Sequence, residues 1–245
     1  DTRSGHAGIT GVMGHPSARE ALTSASICVS IGCRMSATDR GGLDPALDDL
    51  EIVHIGRHSA RPTRGTSIVG SLPNTLSYLD AELERLGVDE QSVPTVGIEY
   101  LDTPTVPESL LPRLREIMDT IADALPESAI LFADAGNVGA AAIHYLTPIS
   151  DGRFTVALGM GGMGYAIAAG IGAAIGSADQ GRVVIVAGDG AFFMHGMEFH
   201  TALEYDAPVT LVILNNDAHG MCVTREHLFF PEAASVNRFR PTDIA

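Results

Sequence analysis

The sequence contains no tryptophan and few aromatic residues of any kind. Aromatic side chains make up 5% of the 245 residues, whereas glycine alone contributes 27 residues. Hydrophobic residues nevertheless reach 45%, which is ample for a buried core in one large or two modest domains. We therefore expect a core in which backbones approach closely and small side chains fill the space between them.

Positive charge is also scarce. Lysine and arginine together number 15 against 30 acidic residues, which gives a formal net charge of −15. This balance argues against nucleic acid or an anionic membrane surface as a partner. The most apolar window, residues 164–178, is glycine-rich and too short to span a bilayer. We predict neither a nucleic-acid partner nor a membrane partner.

The cysteines are few and have no metal-binding arrangement. Cys28, Cys33 and Cys222 show neither CxxC nor zinc-finger spacing. Residues 1–10 do not have the pattern of a signal peptide. We therefore expect reduced thiols and a cytoplasmic location.

Two buried strands stand at the centre of the chain, at residues 183–187 and 209–214. Both are apolar and rich in β-branched residues, and residues 192–205 between them have a helical period. Parallel strands joined by a crossover helix end at the same edge of a sheet. Asp189 and Asn216 follow these strand ends, so we expect them to lie close together in space.

The residues at these strand ends favour a metal-bound phosphate ligand. Carboxylate and amide oxygens suit a hard cation such as Mg²⁺. The glycines of Gly188-Asp189-Gly190 let the backbone approach a ligand, and N–H groups at a helix start attract phosphate. The alternative is an ordinary strand-end turn with an exposed aspartate and an asparagine cap.

The rest of the chain predicts two α/β domains. The first covers residues 1–88, and residues 89–106 contain two prolines and little periodicity, which is typical of a linker. The second covers residues 107–245. The expected elements are helices at 17–23, 72–86 and 110–125, strands at 26–31, 52–55, 68–69 and 129–133, and a small-residue helix ending near residue 177.

The stretch from Gly188-Asp189-Gly190 to Asn215-Asn216 resembles the cofactor-binding motif of thiamine diphosphate-dependent enzymes. The resemblance implies that the side chains of Asp189 and Asn216 and the backbone carbonyl of Ala218 bind Mg²⁺. It further implies that the cofactor is contacted by Gly188, Gly190, Ala191 and Met221.

Two glycine-containing segments add to this resemblance. Gly136 and Asn137 follow the strand at 129–133, where the family holds the diphosphate; relatives of the synthase type often have Gln-His after this glycine, but here Asn137-Val138 follows. Residues 159–164 formally read GxGxxG, but the nearest candidate acid about 20 residues further on, Asp179, lies before a strand and not after one, which disfavours a dinucleotide site.

In the family, the second of these segments shapes the cofactor. The resemblance implies that Met163 is the apolar wedge that bends the cofactor into a V shape. The carbonyl of Gly161 would accept from the 4′-amino group of the cofactor. The alternative for Met163 is simple core filling, which is the common use of methionine.

Three histidines lie near the motif, and we expect them to have different roles. His219 follows the Asn-Asn pair and is a candidate for lining the site. His195, His200 and Glu198 lie on the intervening helical segment, where we expect structural or exposed roles.

The order of segments resembles enzymes of the acetohydroxyacid synthase, pyruvate oxidase and pyruvate decarboxylase type. Residues 1–88 resemble part of their central, Rossmann-like domain, and residues 107–245 resemble their diphosphate-binding domain. The family's pyrimidine-binding domain, which carries the catalytic glutamate, has no counterpart in the sequence. We therefore expect no catalytic side chain here, and expect that domain on a second polypeptide or upstream of Asp1.

The implied reaction is decarboxylation of a pyruvate-like 2-oxo acid and transfer of the acyl-anion equivalent to an acceptor, as in acetolactate synthase. Simple 2-oxo acid decarboxylation and a non-catalytic, thiamine diphosphate-binding regulatory subunit are the alternatives. The implied assembly is a dimer, or a heteromer or tetramer, that includes a pyrimidine-binding domain. Some relatives bind FAD in the central domain, but no motif supports FAD here.

Overall fold

The computed structural model describes residues 5–59, 65–88, 97–101, 112–146, 152–176 and 181–244. The chain divides into two compact units, Asp1–Thr105 and Val106–Ala245. Most of the predicted linker lies outside the described residues. Its described part, residues 97–101, packs on the first unit, where the backbone N–H of Glu99 donates to Ser17 Oγ at 2.8 Å.

The first unit is built on a three-stranded parallel sheet in the order β1-β2-β3. Its core is formed by Leu43, Leu47, Leu50 and Ile52, which are all buried. Its elements are α1 (Pro16–Ser24), β1 (Ile27–Ile31), α2 (Ala37–Arg40), α3 (Asp44–Asp48), β2 (Glu51–Gly56), β3 (Thr66–Val69) and α4 (Leu72–Arg85).

The structure confirms the predicted strands and the two predicted helices of this unit. Helix α4 ends at Arg85, and Gly87 follows with a φ of +68°, a left-handed conformation that favours glycine. The short helices α2 and α3 were not predicted. One helical turn is too short for a hydrophobic period to be read.

The second unit contains a four-stranded parallel sheet in the order β5-β4-β6-β7. Its strands are β4 (Ile130–Ala133), β5 (Arg153–Val156), β6 (Val183–Gly188) and β7 (Val209–Leu214). Its helices are α5 (Leu114–Ala124), α6 (Asn137–Tyr145), α7 (Tyr165–Gly176), α8 (Asp189–His195), α9 (Phe199–Glu204) and α10 (Gly220–Phe229). The α/β fold with parallel sheets is as predicted.

Both faces of this sheet are covered. Ile130 and Ile185 join a core with α7, whereas Leu131 and Val184 join a core with α5 and α6 on the other face. Because both of their faces are buried, the central strands β4 and β6 read as continuous apolar runs. A Cβ on Gly170 of α7 would lie 2.5 Å from Ile185 Cγ1, so this helix packs closely on the sheet.

The strand order creates a topological switch point between β4 and β6. The chain passes from β4 to β5 on one side and then returns to place β6 on the other side. In open α/β sheets, ligands bind outside the carboxyl ends of the strands at such a point. Asn137 follows β4 and Asp189 follows β6, so both predicted site residues flank it.

The helical prediction for residues 192–205 was wrong in its extent. Helix α8 begins earlier, at Asp189, and a 3₁₀ turn at Gly196–Glu198 separates it from α9. The ring of Phe192 explains the glycine at this break, because a Cβ on Gly196 would lie 2.6 Å from it. Strand β5 and helix α10 were not predicted.

The apolar helix α7 was expected to be too short for a bilayer. In the described ranges, no helix combines the length and apolar character that a membrane crossing requires.

Candidate functional site

Asp189 links the ends of β6 and β7. It is the first residue of α8 and is 2% exposed. Its Oδ1 accepts from the N–H of Gly190 at 2.9 Å, and its Oδ2 accepts from the N–H of Ala218 at 3.0 Å. We call residues 215–219 the NN loop. The carboxylate thus joins this loop to the turn after β6, and the two strand ends lie side by side as predicted.

The two asparagines of the NN loop have different positions. Asn215 shapes the loop, since its Oδ1 accepts from the N–H of Asp217, whose φ is +52°. Asn216 lies beside Gly220, where an added Cβ would be 2.9 Å from Asn216 Nδ2 and 3.1 Å from Asn137 Nδ2. The amides that follow β4 and β7 therefore meet over a glycine that leaves no room for a side chain.

A second close approach occurs at Gly190. An added Cβ there would lie 2.4 Å from His219 Nδ1 and 3.2 Å from Met163 Cε. His219 also packs edge-on against Phe239, with ring centroids 4.7 Å apart. Its Nδ1 is buried and has no hydrogen-bond partner among the described residues. The structure therefore brings Met163 and His219 together at the residue that follows Asp189.

Asp134 is a site-forming residue that sequence reasoning missed. It follows β4, is 1% exposed, and its Oδ1 accepts from the N–H of Ala135 and of Gly164, each at 2.8 Å. Its Oδ2 accepts from the N–H of Ala166 at 2.9 Å. It thereby fixes the start of α7 and the glycine-rich loop, which consists of residues 159–164. The signal was an aspartate directly after a buried strand, but the position of its partners in the chain gave no hint of the contact.

The other residues predicted to contact the cofactor lie around the site cluster. We use this name for Asp134, Asn137, Met163, Asp189, Gly190, Asn216, Ala218, His219 and Gly220. Gly136 precedes α6 with a φ of +97°, and Gly188 ends β6 opposite Leu214. Ala191 is fully buried in α8, so only its backbone could serve a ligand. The roles predicted for these residues stay predictions.

Two predicted residues lie in flanking turns without a described contact to the cluster. Gly161 is exposed with a φ of +68°, and its N–H donates to the carbonyl of Ala157 at 2.9 Å. Met221 lies in the first turn of α10, where its Sδ accepts from Arg225 Nη2 at 3.4 Å.

The remaining candidates make contacts of a structural kind. The ring of His195 lies on Gly164, where an added Cβ would be 2.5 Å from His195 Cδ2. Glu198 is exposed and accepts from Thr201 Oγ1 at 3.3 Å, and His200 is exposed. These contacts agree with the structural or exposed roles expected for all three.

The chemistry of the donors fits a hard cation that carries a phosphate group. One carboxylate, one amide and one backbone carbonyl are oxygen donors of the kind Mg²⁺ accepts, with phosphate oxygens completing the set. Within the described ranges, no three or more His, Cys, Asp or Glu side chains lie close enough together to hold a metal. A metal centre built from several histidines or cysteines is therefore not found in those ranges. Helices α6 and α10 begin at Asn137 and Gly220, so two helix N-termini meet where a phosphate would lie.

Residues 134–245 match the family described as thiamine pyrophosphate enzyme, C-terminal TPP binding domain. This match covers both buried aspartates, the glycine-rich loop and the NN loop. Residues 134–245 are thus a thiamine diphosphate-binding domain of the kind found in thiamine diphosphate-dependent enzymes.

Its curated relatives include acetolactate synthases. The chain is 27% identical over 245 residues to a probable acetolactate synthase large subunit of Methanocaldococcus jannaschii, with 93% of this chain and 41% of the relative covered. It is 28% identical over 234 residues to the chloroplastic acetolactate synthase 2 of Nicotiana tabacum, with 90% and 35% covered. A sulfoacetaldehyde acetyltransferase of Alcaligenes xylosoxydans xylosoxydans is 34% identical over 118 residues, with 48% and 19% covered. The chain therefore spans well under half the length of these relatives.

Proposed function

We propose that this chain binds thiamine diphosphate through Mg²⁺ and takes part in an acetolactate synthase-like reaction on a pyruvate-like 2-oxo acid. The observation that carries the proposal is the bond from the Ala218 N–H to the buried Asp189, at a switch point where the amides of Asn137 and Asn216 also meet. The acetolactate synthase relatives support the reaction class.

In this proposal, the residues of the cluster have separate tasks. Asp189, Asn216 and the carbonyl of Ala218 hold the metal, and the two helix starts at Asn137 and Gly220 face the diphosphate. Met163, lying against Gly190, supports the ring end of the cofactor. When bound, the cofactor supplies the acidic carbon that adds to the 2-oxo acid.

The metal assignment is tested by Asp189→Ala. Calorimetry should show that Mg²⁺-dependent binding of thiamine diphosphate is lost, because the diphosphate charge is left uncompensated. Asp123→Ala, at an exposed acid of α5, is the matched control and should bind like the parent. Circular dichroism would verify that the Asp189→Ala variant is folded. A folded variant with the parent's affinity would contradict the assignment.

The proposed partner is a pyrimidine-binding domain, which supplies the catalytic glutamate in a dimer or larger assembly. The family's site lies between this domain and the diphosphate-binding domain, which supports the proposal. The cytoplasmic location expected from the cysteine pattern stays a prediction.

A further inference from the structure

The C-terminal residues of the chain run along the NN loop. We call residues 235–242 the C-terminal strap. The N–H of His219 donates to the carbonyl of Asn237 at 2.9 Å, and the N–H of Phe239 donates to the carbonyl of Asp217 at 2.7 Å. Ala218 pairs with Arg238 between these two bonds in an antiparallel bridge. The strap and the NN loop thus form a short antiparallel pair.

This pairing sets the orientation of the Ala218 peptide groups. The two bonds lie on either side of the Ala218–Arg238 pair, so this is the non-hydrogen-bonded position of the antiparallel pattern. The N–H and C=O of such a residue point away from the partner strand. The Ala218 N–H accordingly reaches Asp189 Oδ2 at 3.0 Å. The same antiparallel pattern directs the Ala218 carbonyl to that side as well. The strap therefore directs the proposed backbone ligand towards the proposed carboxylate ligand.

Further contacts hold the far end of the strap. Asn215 Nδ2 donates to the carbonyl of Thr242 at 2.8 Å, and the N–H of Thr242 donates to Asp217 Oδ1 at 3.3 Å. The ring of Phe239 packs edge-on against His219 and against Phe193, with the Phe193 centroid 5.6 Å away.

The near end of the strap is anchored by one carboxylate. Glu226, on α10, accepts from Ser235 Oγ, from Asn237 Nδ2 at 2.6 Å and from the N–H of Val236 at 3.4 Å. Three successive strap residues thus converge on Glu226, and Asn237 also provides the carbonyl that receives the His219 N–H. The hydroxyl of Ser235, followed by the amide of Asn237, lowers the pKa of the Glu226 carboxyl below its ordinary value.

We infer that Glu226 is a positioning residue for the metal: by anchoring the C-terminal strap, it keeps the Ala218 carbonyl turned towards Asp189. This inference rests on the proposed metal site. It assigns to Glu226 no contact with metal, cofactor or substrate. Residues that orient metal ligands commonly change metal affinity by about 10- to 100-fold when they are removed.

The test compares Glu226→Ala with Glu232→Ala in the full chain. Glu232 is an exposed glutamate between α10 and the strap, so it matches the charge change without touching the anchor. The Mg²⁺ concentration for half-maximal thiamine diphosphate binding is measured by calorimetry. Hydrogen exchange at the His219 and Phe239 amides is measured without ligand.

We expect Glu226→Ala to raise the Mg²⁺ requirement about 10- to 100-fold and to speed exchange at both amides, while excess Mg²⁺ restores binding. The double variant Glu226→Ala/Asn237→Ala should be no worse than the single variant, because both changes release the same strap. Glu232→Ala should behave like the parent. If Glu226→Ala lost its far-UV circular dichroism, Ser235→Ala, which removes one donor, would carry the same measurements.

Each contrary result is decisive. An unchanged Mg²⁺ requirement would overturn the inference even if exchange became faster, because the anchor would then serve stability alone. A raised requirement with unchanged exchange would also overturn it, because the effect would not pass through the strap. Failure of the parent chain itself to bind the cofactor with Mg²⁺ would instead contradict the proposed function.

Discussion

At the scale of single residues, two buried aspartates at neighbouring strand ends have different surroundings. Asp134 accepts three backbone N–H groups, which join β4 to the glycine-rich loop and to the start of α7. Asp189 accepts two, one of them from the NN loop. A carboxylate offers about four acceptor positions, so Asp189 retains capacity for a cation. The contrast favours a structural role for Asp134 and a ligand role for Asp189.

Replacement of Asp134 by asparagine should destabilise the second unit. The new side chain keeps one acceptor oxygen but turns its NH₂ group, a donor, towards a backbone N–H that needs an acceptor, such as that of Ala166. We expect a loss of about 1.5–3 kcal/mol in the free energy of unfolding, the range for a hydrogen bond to a charged group. Urea unfolding of Asp134→Asn measures this, with the exposed Asp123→Asn as control. A loss below about 0.5 kcal/mol, the size of ordinary surface effects, would show that the cap is dispensable.

Replacement of Met163 by alanine separates a cofactor wedge from core filling. Because Met163 Cε lies against Gly190, its loss should leave the diphosphate end of the site intact but slow exchange of the cofactor's C2 proton. NMR of the cofactor bound to the chain, with an added pyrimidine-binding domain that supplies the activating glutamate, measures this exchange. Met160→Ala is the control, since Met160 lies in the same loop but is 90% exposed. Equal exchange rates in Met163→Ala and parent would favour core filling.

Among the secondary-structure elements, the ends of strands and the starts of helices form the candidate site, and the faces of the sheet do not. The strand order puts the ends of β4 and β6 beside the switch point, and the starts of α6 and α10 meet there through Asn137 and Gly220. The C-terminal strap adds a further segment that has no helix or strand period. Its position depends on contacts with the NN loop and with Glu226.

The strap should loosen in acid as Glu226 takes up a proton. The pKa of Glu226 is lower in the folded chain than its ordinary value, so its contribution to strap stability is present above the ordinary value. That contribution is lost as the pH falls through the lowered value. We expect exchange at the Phe239 amide to accelerate there more than the intrinsic rate predicts. Glu226→Gln should lack this step; a step that persists in it would point to another acid, such as Asp217, which also contacts the strap.

In the molecule as a whole, both units contain a parallel sheet with helices, but they differ in how fully the strands of the sheet are buried. The sheet of the second unit is covered on both faces. In the first unit, Ile27, Val29 and Ile31 of β1 are each about half exposed, at 50%, 53% and 49%. The chain covers 41% of the length of the M. jannaschii relative.

We therefore predict that the 245-residue chain binds thiamine diphosphate but does not turn over pyruvate without a pyrimidine-binding domain. The reason is that the glutamate expected to activate the cofactor belongs to that domain in the family. A turnover assay combined with light scattering measures this. The control is the same assay after addition of a pyrimidine-binding domain from a relative. A monomeric chain that decarboxylates pyruvate at an ordinary enzymatic rate would contradict the prediction.

Local sequence patterns were sufficient to predict most elements and the meeting of the strand ends at the candidate site. The apolar runs of β4 and β6 identified buried strands, because residues buried on both faces of a sheet are apolar throughout. Strand β7 was also predicted to be buried, but it is an edge strand whose residues are half-buried, with Thr210 exposed. Glycines and asparagines after these strands marked the turns where a ligand could approach. The meeting of the β6 and β7 ends followed from the geometry of parallel strands alone.

The residues that support the candidate site could be identified only in the folded chain. Asp134, Glu226 and the C-terminal strap were missed because their partners are set by packing between distant segments, not by a local period. The limits of α8, with the 3₁₀ turn at Gly196–Glu198 that separates it from α9, also became apparent only in the folded chain. Strand ends and small residues, which can be read from the sequence, thus predicted where a cofactor could bind. The folded chain decided what holds those ends in place, because hydrogen bonds across the chain form only when packing brings the segments together.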